Sequence, residues 1–140
     1  MYDIHRAAAT RRAFMGLAAG GLVAAAGTRP ARAARVRTAA HIVILGAGAA
    51  GAAMANRLAA RLEGVRITLI DGRRQHWYQP GFTLIAAGLK PAGYSVSGTA
   101  EWLPSGATWI EEYAAEIDPE ARHVTTTSGR RVSYDYLIVA

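Results

Sequence analysis

Cysteine is absent from all 140 residues, which excludes a disulfide, a thiolate metal site and a cysteine nucleophile within this chain. Histidine is sparse: His5, His41, His76 and His123 are scattered, and no two share a ligand spacing such as i, i+4, so no zinc or iron site is expected from these residues. Basic charge is also missing where a polyanion binder would need it. The formal net charge is +6, but residues 1–37 hold seven Arg and one Asp, while residues 38–140 hold nine Lys+Arg and nine Asp+Glu. A neutral globular portion offers no clustered face for counterion release, so nucleic acid is not an expected partner. With 51% hydrophobic and 19% charged residues, what remains fits one ordinary soluble domain.

The N-terminus reads as an address rather than as part of that domain. Thr10-Arg11-Arg12-Ala13-Phe14-Met15 opens a twin-arginine pattern, an apolar run covers Phe14–Gly27, and Ala31-Arg32-Ala33 forms a small-x-small cleavage site. The run is rich in Ala and Gly and falls short of the roughly 20 residues that span a bilayer, as a signal h-region does. Arg29, Arg32, Arg35 and Arg37 beyond it disfavour the general secretory route. Residues 1–33 are therefore expected to be a twin-arginine signal peptide, 34–40 a linker, and the mature protein periplasmic, in reach of the outer face of the cytoplasmic membrane. Export of an already folded protein suits one that acquires a cofactor in the cytoplasm.

After residue 38, elements follow in a recognisable order. His41–Leu45 is a short, β-branched apolar run ended by glycine, expected to be a strand buried on both faces. Ala49–Arg61 reads as a helix, with Met54, Leu58 and Leu62 on its apolar side and Arg57 and Arg61 on another, stopped by Glu63-Gly64. Val65–Ile70 is a second apolar run and ends in Asp71. Strand, glycine turn, helix, strand and acid make a βαβ unit with a right-handed crossover. From Arg73 to Gly106, prolines and glycines predict a loop-rich excursion, with short helical turns at Phe82–Ala87 and Gly98–Leu103. Thr108–Glu112 and Tyr113–Ile117 read as one strand or a kinked pair, ended by Asp118-Pro119. Arg122–Thr127 and Arg130–Tyr134 flank Ser128-Gly129 as a hairpin. Tyr136–Ala140 reads as another buried, parallel-type strand, and a chain stopping there is expected to be a partial one.

The chemistry lies in Gly46-Ala47-Gly48-Ala49-Ala50-Gly51 and Asp71. Gly46 permits a tight turn, Gly48 lets backbone approach a diphosphate, and Gly51 lets the helix lie close to the strands. The helix N-terminus then meets the anion with unpaired N–H groups and the positive end of its dipole. Asp71, twenty residues beyond Gly51, stands where a carboxylate takes the ribose hydroxyls of a dinucleotide and repels a 2′-phosphate; Arg73 and Arg74 just after it pull the other way. The absence of Gly-Lys-Ser/Thr after the loop excludes a phosphate-loop nucleotidase. An irregular stretch, a hairpin and a last strand replace the further βα units of a plain NAD dehydrogenase, which favours the FAD domain of a two-dinucleotide fold. The fold expected over residues 41–140 is thus α/β: a Rossmann-like βαβ FAD-binding domain with a small antiparallel β insertion, incomplete at its C-terminus.

The segment His76-Trp77-Tyr78-Gln79-Pro80-Gly81-Phe82-Thr83-Leu84, five residues after Asp71, resembles the signature that follows the ribose-binding acid in sulfide:quinone oxidoreductases. Trp102-Leu103-Pro104-Ser105-Gly106, Trp109-Ile110, Ile117-Asp118-Pro119 and Tyr134–Ala140 follow in the same order and similar spacing. The resemblance implies an FAD-dependent oxidoreductase that takes two electrons from sulfide through cysteine persulfide chemistry and passes them to a membrane quinone. It implies contacts from Gly46, Gly48, Ala49 and Gly51 to the pyrophosphate, from Asp71 to the ribose, from the Ala114 backbone to the adenine edge, and places Gln79 and Pro80 near the flavin. No catalytic residue and no metal ligand falls within this segment, since the family's redox cysteines, its quinone pocket and its peripheral membrane contact lie downstream. Trp77, Tyr78 and Phe82 divide evenly between packing and a place beside the flavin, and His76 is weighed as structural. The competing readings are the flavoprotein subunit of flavocytochrome c sulfide dehydrogenase, a type II NADH dehydrogenase, and a non-enzymatic nucleotide-binding module.

Overall fold

The computed structural model describes residues 34–140; the expected signal peptide and its cleavage site lie outside the described residues. At the centre is a parallel sheet. His41–Leu45 (β2) and Arg66–Ile70 (β4) pair in register from His41 against Arg66 to Leu45 against Ile70. Val43, Ile44 and Leu69 have no exposed surface, as a strand run covered on both faces requires. Thr108–Ile110 (β7) lies parallel beside β4, and Tyr136–Val139 (β11) lies parallel on the other side of β2, giving the order β11-β2-β4-β7. The registers bring Val139, Leu45, Ile70 and Ile110 to one edge. Ligands of open α/β sheets bind outside that carboxyl edge.

Ala49–Arg61 (α1) crosses from β2 to β4 with the bounds its composition predicts. Its buried face agrees with the expected one at Leu58 and Leu62 and departs from it at Met54. Gly51, Ala52 and Ala55 are buried, with Leu58, Ala59 and Leu62 packed partly against the cluster of Ile42, Ile44, Ile67 and Leu69, whereas Met54 is 40% exposed. The small residues face the sheet because they let the helix axis come close; the larger Met54 stands off it. Gly64, at φ +81°, makes the turn back into β4. Val36–Arg37 (β1), within the expected linker, pairs with Leu62–Glu63 (β3) after the helix.

The excursion after β4 is more regular than its glycines and prolines imply. Gln75–Trp77 (β5) and Val96–Gly98 (β6) form an antiparallel pair, with His76 opposite Ser97. Between them lie a turn of 3-10 helix at Gln79–Gly81, the short helix Phe82–Ala86 (α2) and a second 3-10 turn at Ala92–Ser95; a third, Thr99–Trp102, follows β6 where a helical turn is expected. Strands of three residues are too short to show a period, so this pair is silent in the sequence.

Ala114–Asp118 (β8), His123–Thr126 (β9) and Arg131–Ser133 (β10) form a separate antiparallel meander, order β10-β9-β8, with a register shift between Ala114 and Glu116. Of the alternatives for residues 108–117, the kinked pair is right, and the two halves belong to different sheets. Gly129, at φ +85°, closes the hairpin by donating its N–H to the Thr126 carbonyl at 2.9 Å. Val124 and Val132 of the meander pack with Val43, Ile70 and Ile110 in a second cluster on the central sheet. β11 pairs parallel with β2 as predicted, and within these residues Tyr136 and Val139 are 64% and 73% exposed. Among the described residues its hydrogen-bonded neighbour is β2.

Candidate cofactor-binding site

Because β2 and β4 end side by side, Gly46 and Asp71 meet at one corner. Gly46 adopts φ +100° and donates its N–H to the Ile70 carbonyl at 2.9 Å; a Cβ there would also lie 2.5 Å from the Ala140 carbonyl oxygen. Gly51 faces the turn itself, and an added Cβ would run into the Gly46 carbonyl oxygen. Gly48 is different. Its φ of −68° suits any residue, and a Cβ there would meet only the tip of the flexible Arg73 side chain, at 3.7 Å. Its lack of a side chain keeps the approach to the helix start open. The first intrahelical bond runs from the Ala52 N–H to the Gly48 carbonyl at 2.9 Å, so the amides of Ala49, Ala50 and Gly51 have no acceptor within the helix. The first turn contains no acid and no side-chain cap, which leaves the dipole's positive end available to an anion.

Asp71 is 4% exposed and its carboxylate is turned into the corner. Oδ2 accepts the Ala47 N–H at 2.7 Å, and Oδ1 accepts the Arg73 N–H at 2.9 Å. The Arg73 guanidinium bonds both oxygens, with Nη2 at 2.7 Å from Oδ2. Burial works against ionisation here, and the Arg73 guanidinium together with the two amides outweighs it, holding the carboxyl below its ordinary value. The backbone of this segment is fixed from outside: Thr99 Oγ1 donates to the Arg73 carbonyl at 2.8 Å and Trp109 Nε1 to the Asp71 carbonyl at 2.9 Å. Tyr113 lies against Gly72, where a Cβ would fall 2.5 Å from its ring.

A cleft of about 660 Å³ opens from this corner. Gly48, Ala49 and Asp71 line it together with Gln79 and Pro80, so the structure brings five of the eight sequence-selected residues to one cavity; Gly46 and Gly51 are not in its lining and form the strand-to-helix turn beside it. Ala114 lines a second depression, of about 270 Å³, that shares Asp71 and Arg73 with the cleft. His76, Trp77, Tyr78 and Phe82 complete the cleft wall. Among them, Trp77 meets Phe82 edge-on at 6.4 Å between centroids, and His76 packs on Trp102 at 5.4 Å. Sequence reasoning missed Ala47, Thr99 and the part played by the Arg73 side chain. Ala47 sits inside the glycine motif and acts through its amide, while Thr99 lies 28 residues from Asp71 with no pattern to mark it.

Residues 40–140 match the family model described as pyridine nucleotide-disulphide oxidoreductase. The chain belongs to that family. Within it, the chain is 38% identical over 100 residues to the mitochondrial sulfide:quinone oxidoreductase of Mus musculus, covering 71% of this chain and 22% of that protein. It is 37% identical over 101 residues to the sulfide-quinone reductase of Aquifex aeolicus, covering 71% and 24%. The solved sulfide:quinone oxidoreductase structure from Aquifex aeolicus superposes with a TM-score of 0.62 at 32% identity, over 71% of this chain and 24% of that one. The resemblance first carried by the Trp-Tyr-Gln-Pro-Gly segment therefore holds over the whole matched region. The chain spans about a quarter of the length of the curated relatives it matches.

The family is one of FAD-dependent oxidoreductases, so FAD is the cofactor against which this corner is weighed. The residues present fit it. A diphosphate needs bare backbone amides at a helix start, which Gly48 and Ala49 provide, and a ribose needs a fixed carboxylate, which the Ala47 amide secures in Asp71.

Proposed function

We propose that this chain is the FAD-cradling part of an exported sulfide:quinone oxidoreductase. The observation that carries the reading is the corner where Gly48 and Asp71 meet: open helix amides beside a buried, oriented carboxylate, in a chain whose relatives named above are sulfide:quinone oxidoreductases. In this reading Gly46 and Gly51 shape the turn, the amides at Gly48 and Ala49 hold the diphosphate, and Asp71 takes the adenosine ribose. The Ala114 backbone meets the adenine edge. Gln79 and Pro80 stand towards the flavin, with Trp77, Tyr78 and Phe82 excluding water from the cleft. When bound, FAD supplies two-electron acceptance and release. The sulfur chemistry falls to cysteines outside these 140 residues, and so do the quinone site and any contact with the membrane. The residues here bind, orient and exclude water, and none of them moves a proton or forms a bond to substrate.

Export is supported by the twin-arginine pattern at Arg11-Arg12 and the small-x-small site at Ala31-Arg32-Ala33, and the reading that goes with it is a periplasmic enzyme. The likeness to type II NADH dehydrogenase structures is at most 19% identical and carries the fold alone. The decisive test uses the protein extended to the length of its relatives. It should purify yellow with bound FAD, and sulfide should bleach the flavin band without NADH; bleaching by NADH and not by sulfide would replace this reading with the dehydrogenase. A protein of that length that binds no flavin would leave only the nucleotide-binding module.

A further inference from the structure

Arg73 and an incoming ribose claim the same atoms. A carboxylate offers about four lone-pair sites. In Asp71 the main-chain amides of Ala47 and Arg73 take one on each oxygen and hold the group in place without help from any side chain. The guanidinium occupies what is left, with Nε at 3.0 and 3.2 Å from the two oxygens and Nη2 at 2.7 Å from Oδ2. Two ribose hydroxyls would need those same sites. Nη2 is also the atom that stands 3.7 Å from where a Cβ of Gly48 would lie, at the approach to the helix start. The Arg73 side chain is 59% exposed, whereas its backbone is tied at both ends, by the bond to Asp71 Oδ1 and the bond from Thr99 Oγ1. It can pivot about a fixed base. Arg74 points elsewhere, its Nε pairing with Glu111 at 2.6 Å.

Resting on the flavin reading above, we propose that Arg73 is an exchangeable cation of the cradle, which yields Asp71 to the ribose and turns its guanidinium onto the cofactor's diphosphate. The motif contains no lysine for that anion, and an arginine fork fits phosphate oxygens in pairs. One ion pair is exchanged for another: the guanidinium offsets part of the negative charge that the diphosphate brings, while the ribose hydroxyls take its place on an Asp71 carboxylate that the Ala47 and Arg73 amides still hold.

The test compares three ligands on the flavin-free protein extended to the length of its relatives: FAD by quenching of flavin fluorescence, ADP by competition with FAD, and adenosine by NMR titration. Arg73→Gln should weaken FAD and ADP about tenfold or more, as expected for loss of a charge-assisted bond, while adenosine binds equally well or more tightly because its competitor for Asp71 is gone. Arg73→Lys should recover most of the FAD affinity, and Arg74→Gln should leave all three unchanged. Parallel weakening of all three ligands by Arg73→Gln would mean that the guanidinium merely supports Asp71, and unchanged FAD affinity would mean that it never meets the diphosphate; either overturns the proposal. If Arg73→Gln does not fold, the salt dependence of the wild type decides. FAD and ADP should weaken with salt while adenosine does not, and a common decline of all three overturns the idea. Wild-type protein that binds neither FAD nor ADP would reject the flavin reading itself.

Discussion

At the scale of single residues, the chemistry of this chain concentrates in one buried carboxylate. Asp71 stays charged although burial opposes it, because the Arg73 guanidinium and the amides of Ala47 and Arg73 favour the ionised form more strongly. A carboxyl whose value in the folded chain lies below its value in the unfolded chain adds stability at pH above the unfolded value, near 4, and loses that contribution as pH falls through the lower, folded value. Asp71→Asn should therefore be less stable than wild type at pH 7 by roughly 1.5–3 kcal/mol, the range for hydrogen bonds to a charged group. The difference should shrink steadily as pH drops below 4. Urea unfolding at pH 7 and pH 3 measures this, and a gap of constant size at both would show that the charge of Asp71 is not what matters. The glycines act differently. Gly46 and Gly51 are needed for the space and turn they provide, whereas Gly48 is needed for what it leaves uncovered.

At the scale of elements, α1 shows how far sequence patterning reaches. Its bounds follow from a run dominated by Ala, Met and Leu between Gly48 and Gly64, since such residues lose little side-chain freedom in a helix. Its buried face followed only in part: Leu58 and Leu62 pack on the core, but a hydropathy pattern also favours Met54, while close packing on the sheet favours Ala52 and Ala55. Two substitutions separate these pictures. Met54→Lys should change unfolding free energy by no more than about 0.5 kcal/mol, as an exposed site does. Ala55→Leu, at a position with no exposed surface beside Ile44 and Leu69, should destabilise by about 1–3 kcal/mol through overpacking. Equal costs in denaturant titrations would contradict the observed orientation of the helix. The β5–β6 pair was unreadable for another reason: three-residue strands gain their order from each other, and the partner of Gln75–Trp77 lies some twenty residues away.

At the scale of the whole molecule, two apolar clusters flank the central sheet. One joins it to α1, and the other joins it to the meander that carries Ala114. The corner beside Asp71 is thus braced from both sides. The proposed export adds a prediction of its own: protein recovered from the periplasm should begin just after Ala33 on N-terminal sequencing. Recovery of Met1 or Tyr2 from that fraction would remove the signal-peptide reading, and with it the periplasmic assignment. The sequence by itself determined the βαβ unit, the roles its glycines play in the turn, and the acid at the tip of the second strand, because these depend on local conformational freedom and on a strand register that apolar runs specify. Only the tertiary structure decided that Ala52 and Ala55 rather than Met54 meet the sheet, that Gln79 and Pro80 share a cleft with Asp71, and that Arg73 already holds that carboxylate. Those outcomes depend on which surfaces meet across long stretches of chain, and such meetings leave no local periodicity in the residues that make them.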